Sequence, residues 1–128
     1  MDNHTIRVSV ISMNLPIAEA RSEIKTAEVF GLLELVGYQD GSVVSRTIMN
    51  ENTGTVTLFG FDQDQGLSEH TSPFDALVQV LEGEVEITIS GRSMHLKSGE
   101  LILLPAGQPH KLNAISRFKM LLTMIRSK

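Results

Sequence analysis

The 128-residue sequence contains no cysteine. That excludes a disulfide framework and a thiolate nucleophile. A metal would have to be held by histidine and carboxylate, donors that suit Fe, Mn, Ni, Cu or Zn. Aromatic residues are scarce, five Phe and one Tyr, too few for a platform on which nucleic-acid bases stack. Basic residues are in the minority, 11 against 15 acidic, for a net charge of −4. Nucleic acid needs a basic footprint, so it is set aside as a partner. No apolar run reaches the length that crosses a bilayer, and no membrane partner is expected. Ala18-Glu19-Ala20 mimics a signal-peptidase site. Ser9, Ser12, Asn14 and Pro16 interrupt the apolar run before it, however, and Asp2 precedes that run. The segment is read as ordinary chain and the protein as cytoplasmic.

What is present describes an ordinary globular chain, 41% hydrophobic and 20% charged, of a size for one core. Residues 1–40 are read as an N-terminal arm and residues 41–128 as the main domain. Within the arm, Pro16 starts a short helix over Ile17 to Lys25, where Ile17, Ala20 and Ile24 fall at helical spacing. Phe30 to Val36 is read as strand or extended chain. From Ser42 onward the period changes to two. Strands are expected over Ser42 to Met49, Thr55 to Phe61, Ala76 to Leu81, Glu84 to Ser90, Met94 to Leu96, Leu101 to Leu104 and Phe118 to Ile125. Turn clusters such as Asn50 to Gly54 and Asp62 to Gly66 separate them. Glu84 to Ser90 alternates most cleanly, with Val85, Ile87 and Ile89 on one face. Seven to nine short strands with a turn every 8 to 12 residues are the pattern of a sandwich or small barrel.

Four histidines are available for chemistry. His4 sits near the terminus, and His95, between Met94 and Leu96, is expected to face solvent. His70 and His110 lie in segments dense with turn residues, Gly66 to Gly83 and Gly99 to Asn113. These segments resemble the two motifs of the cupin family. The second motif runs Gly, five residues, Pro-x-Gly, two residues, His, three residues, Asn. Gly99, Pro105, Gly107 and His110 match it, with Asn113 one position early. The first runs Gly, five residues, His-x-His, three or four residues, Glu, about six residues, Gly. Here His70 stands at the first His, Ser72 replaces the second, Asp75 stands near the Glu, and Gly83 closes the motif.

The resemblance implies an all-β jelly-roll barrel, or double-stranded β-helix, with a small polar ligand inside it. It also implies a divalent metal on His70, Asp75 and His110, a set suited to non-haem Fe(II) and related metals. Ser72, Gln79 and Met120 are then the residues lining the ligand pocket. If the protein is catalytic, the metal would polarise substrate or O₂ as in cupin dioxygenases and isomerases, with Asp75 as third ligand or base. A metal-free binding or sensing module is the second reading, with Gln79, Ser72 and His70 as the hydrogen-bond partners of a ligand. Against both stands a plainly structural reading, in which His70 is a buried histidine bonded to a carbonyl and Asp75 accepts backbone N–H groups in its turn. A third reading is a structural barrel that assembles through residues 1–40. A homodimer is expected, and the resemblance implies the arm as a dimer contact in the third reading, since cupins often exchange or pair their N-terminal strands.

Overall fold

The computed structural model describes residues 7–10, 16–19 and 24–126. Eleven strands form in the described residues: β1 (Arg7–Val10), β2 (Pro16–Glu19), β3 (Val43–Glu51), β4 (Gly54–Phe61), β5 (Gly66–His70), β6 (Asp75–Glu82), β7 (Glu84–Ile89), β8 (Arg92–Lys97), β9 (Leu101–Leu104), β10 (His110–Ala114) and β11 (Phe118–Ile125). Seven make one sheet in the order β1-β2-β3-β4-β11-β6-β9, and four make a second, β5-β10-β7-β8. Apart from the parallel contact of β2 with β3, the described pairings are antiparallel. This is the all-β jelly-roll barrel expected. No helix among the described residues is long and apolar enough to cross a membrane.

Alternation along the strands builds the interior. Ala76, Val78 and Val80 of β6 are buried, as are Phe118, Met120, Leu122 and Met124 of β11 and Val85 and Ile87 of β7. They join Phe59, Phe61, Leu67, Leu112 and Ala114 in a single cluster between the sheets. Phe61 and Phe118 stack with ring centroids 4.6 Å apart, an arrangement that adds to simple area burial.

A second, smaller core lies on the outer face of the larger sheet, where Leu58 and Val44 meet Val36. The chain before the barrel covers this face. Phe30 to Val36 was expected to be extended. Instead Leu32–Leu35 forms one turn of 3-10 helix, and Glu34 N–H donates to the Gly31 carbonyl. Polar contacts from β11 hold the covering segment. Lys119, itself buried, donates to the Leu33 carbonyl at 2.6 Å and lies 5.1 Å from the Tyr38 ring centre. The Tyr38 hydroxyl donates to the Glu82 carboxylate. Burial first, and that carboxylate second, push the Tyr38 pKa above its ordinary value. Arg117 bridges Asp40 at 2.7 Å and Asp62 at 2.8 Å. The Asp62 carboxyl is pulled down to about 2, chiefly by its bond to Arg117 and then by the Gly41 N–H.

The helix expected from Ile17 does not form within the described residues. Residues 16–19 are strand, paired with both β1 and β3, so tertiary pairing overrides a weak propensity. The remainder of that expectation, up to Glu23, lies outside the described residues, as does His4. Ile24 and Lys25 are irregular.

Candidate functional site

β5 ends on His70 and β10 begins on His110, and the two are direct partners across the antiparallel ladder. Both point into the barrel, 7% and 3% exposed respectively. On its other side His110 pairs with Ile89 of β7. The imidazole centroids are 4.3 Å apart, edge to face at 72°. Sequence reading thus placed the two histidines in one site, and the register shows how: cross-strand partners on one face are nearest neighbours.

Each ring is oriented by the carbonyl two residues before it. His70 Nδ1 donates to Ser68 O at 2.7 Å, and His110 Nδ1 donates to Gln108 O at 3.2 Å. A carbonyl accepts only, so each Nδ1 carries a proton, and it is the neutral form of such a ring that presents a bare lone pair at Nε2. Nε2 of His70 is buried with no hydrogen-bond partner among the described residues. Burial, and next the adjacent His70, hold the His110 pKa below its ordinary value, against the opposing pull of the Gln108 carbonyl. His110 is therefore neutral near pH 7.

The other expected residues do not converge on this point. Asp75 is on the outward face of β6, and its Oδ1 accepts from Ala106 N–H at 2.9 Å. Gln79 shares that outward face, because the buried residues of β6 are Ala76, Val78 and Val80. Met120 is fully buried in the main core, paired between Phe59 and Val80. Ser72 is buried, and its Oγ accepts from Phe74 N–H at 3.1 Å. His95 is exposed and 3.1 Å from Glu84.

The placement of Asp75 as a ligand is corrected by the alternation of β6, and the sequence held the signal. The position with three residues between it and Ser72, and six between it and Gly83, is Ala76. Ala76 occupies the inward position that the motif gives to Glu; Asp75 is its neighbour, and neighbours in a strand face opposite ways.

This donor set does not fit a resident metal. The outer bonds of both rings to carbonyls are those of metal-ligating histidines, and the orphaned Nε2 would accept a cation. Yet among the described residues two imidazoles are the whole supply. Catalytic sites generally use three protein ligands. Among the described residues no group of three or more His, Cys, Asp or Glu side chains is placed to hold a metal ion. The serine that stands third is already bonded to backbone.

Comparison with known proteins agrees with the architecture. Residues 57–125 match the family model described as a cupin domain. The solved structure of the conserved SPY1581 protein of unknown function from Streptococcus pyogenes is 35% identical, with a TM-score of 0.78, over 82% of this chain and 92% of its own. The Cupin 2 conserved barrel domain protein from Leptotrichia buccalis is 37% identical, with a TM-score of 0.73, over 76% of this chain and 47% of its own. A cupin superfamily protein (DSY2733) from Desulfitobacterium hafniense DCB-2 shares the fold at 24% identity and a TM-score of 0.77, over 81% and 95%. No curated protein matches the chain. Motif, strand order and family match agree, and the chain belongs to the cupin family.

Proposed function

We propose that the protein is a metal-free, small-molecule-binding cupin whose recognition element is the pair His70 and His110. One observation carries this reading: the buried Nε2 of His70 has no partner among the described residues although its Nδ1 is satisfied. An unmet buried acceptor costs about 1–3 kcal/mol, and a ligand that supplies a donor recovers that cost. His110, neutral near pH 7, adds a lone pair beside the unpartnered Nε2 of His70. The pair suits a small molecule that presents hydroxyl or amino donors. Apolar neighbours such as Ile89 leave such a ligand few competing polar contacts. The protein senses or carries this ligand, in the cytoplasm, as a homodimer.

The test has two parts. Protein equilibrated with Fe, Mn, Ni, Cu and Zn salts, then desalted, should retain far less than one metal per chain by elemental analysis. Stoichiometric retention of any of these would overturn the metal-free reading. A thermal-shift screen of small polyols, sugars and amines should find compounds that raise the unfolding temperature, by linkage of about 2.7 kcal/mol at 100 times Kd. His70→Ala should abolish the rise. A ligand that stabilises His70→Ala and the parent equally would remove the histidine pair from recognition.

A further inference from the structure

We propose that Asp75 is a positioning residue for the histidine pair: its carboxylate fastens the loop between β9 and β10 and thereby fixes the imidazole of His110 against that of His70. The proposal takes from the reading above only what the pair is for; how the pair is held follows from geometry.

The loop, residues 105–109, has little apolar burial to locate it. Ala106, Gly107 and Gln108 are exposed, and the flanking Pro105 and Pro109 are only half-buried. Segments of this kind are placed by their polar bonds. A turn shapes the tip, with Gln108 N–H donating to Pro105 O at 3.4 Å and Gly107 at φ +83°, a value that suits glycine in the third position of a type II turn. Two consecutive N–H groups of this tip are taken by the chain that follows His70. Ala106 N–H donates to Asp75 Oδ1 at 2.9 Å, and Gly107 N–H donates to Ser72 O at 2.8 Å. On the far flank, Ser90 N–H donates to Pro109 O at 2.8 Å and Ser90 Oγ to Gln108 Oε1 at 3.2 Å.

The loop ends in the carbonyl that orients the ring. Gln108 O accepts from His110 Nδ1, and Gln108 directly follows the two anchored residues. Asp75 thus joins the segment after one histidine to the segment that aims the other. An ionised acceptor strengthens such a bond to a backbone N–H. Because β6 turns residue 75 outward, the carboxylate reaches the loop from outside the barrel while Ala76 fills the inside. Without it, the tip keeps one anchor on this side, the Gly107–Ser72 bond.

The experiment is NMR of the full chain without ligand, so its outcome does not depend on whether any small molecule binds. In Asp75→Ala, amide exchange at Gly107 should quicken by about tenfold, the scale of losing one anchoring bond. The ring-to-ring contacts between His70 and His110 should weaken, and the His110 imidazole signals should shift and broaden. His95, on the outside of the other sheet, should be unmoved. Asp75→Asn keeps an oxygen acceptor for Ala106 and should restore the parent spectrum. Ala106→Pro removes the N–H from the other partner, at a turn position that tolerates proline, and should reproduce Asp75→Ala. The proposal is overturned if Asp75→Ala or Ala106→Pro leaves the ring contacts and His110 signals as in the parent. It is equally overturned if Asp75→Asn behaves like Asp75→Ala.

Discussion

At the scale of single residues, the chemistry of this barrel turns on Ser72 and Ala76. Both are buried, and both stand where the cupin resemblance implies ligating side chains. Their small size leaves the interior, among the described residues, with two imidazole donors. Restoring the pair makes a direct prediction. The double variant Ser72→His, Ala76→Glu should take up one divalent metal per chain on incubation with Ni or Mn salts, read by elemental analysis after desalting, whereas the parent should not. Enlarging two buried side chains should cost about 1–3 kcal/mol in urea unfolding, the usual penalty of overpacking a dense core. Uptake by Asp75→Glu alone would contradict the outward orientation of that position.

At the scale of elements, what was legible depended on whether the signal was local. β7 was legible over its first half, where Val85 and Ile87 are buried and Glu86 is exposed as the alternation predicts; beyond it Thr88 is buried and Ile89 only half-buried. β11 was equally clear. β5 and β10 were not read as strands, although they carry both histidines. Gly66-Leu67-Ser68-Glu69-His70 and His110-Lys111-Leu112-Asn113-Ala114 contain no β-branched residue, so propensity says little. They are strands because they pair with one another and β10 also pairs with β7, a fact no local window holds. The motif located the histidines, and its spacing, counted to Ala76, already set Asp75 and Gln79 on the outward face that the burial pattern of β6 shows.

β9 carries the prediction at this scale. Among the described residues it is an edge strand, with the wholly apolar sequence Leu-Ile-Leu-Leu, and Leu101 and Leu103 are 59% and 66% exposed. On the same outer face Leu103 pairs with Leu77, and Leu101 with Gln79. Natural edges usually carry charge or proline to prevent association, and this one carries neither. The homodimer proposed above would have a second copy of the chain cover this edge. Light scattering should give a dimer, and Leu101→Lys with Leu103→Lys should give a monomer whose unfolding temperature differs little when measured at low concentration. A monomeric parent would refute the assignment.

At the scale of the whole molecule, burial of His110 couples stability to pH. Its folded pKa lies below the ordinary 6.5, so the unfolded chain takes up this proton first as pH falls. The stabilisation from the neutral buried ring is complete above 6.5 and is lost as pH drops through the folded value. The urea midpoint should therefore be level near neutrality and decline below about pH 6.5. His110→Gln should flatten that limb. Asp62 contributes a lower limb, as pH falls from 3.8 towards about 2; Arg117→Met should shrink it, the Gly41 and Gln63 N–H bonds remaining, and leave the upper one.

The pairing of β5 with β10 also bears on how the molecule assembles. His70 and His110 belong to distant parts of the chain and become neighbours only when these two strands join. Closing so long a loop carries an entropy cost before any contact rewards it. Neither histidine has its counterpart in a collapsed or half-paired chain. A molecule that bridges both imidazoles is thus a ligand of the closed barrel and of nothing that precedes it, so its binding doubles as a report that folding is complete.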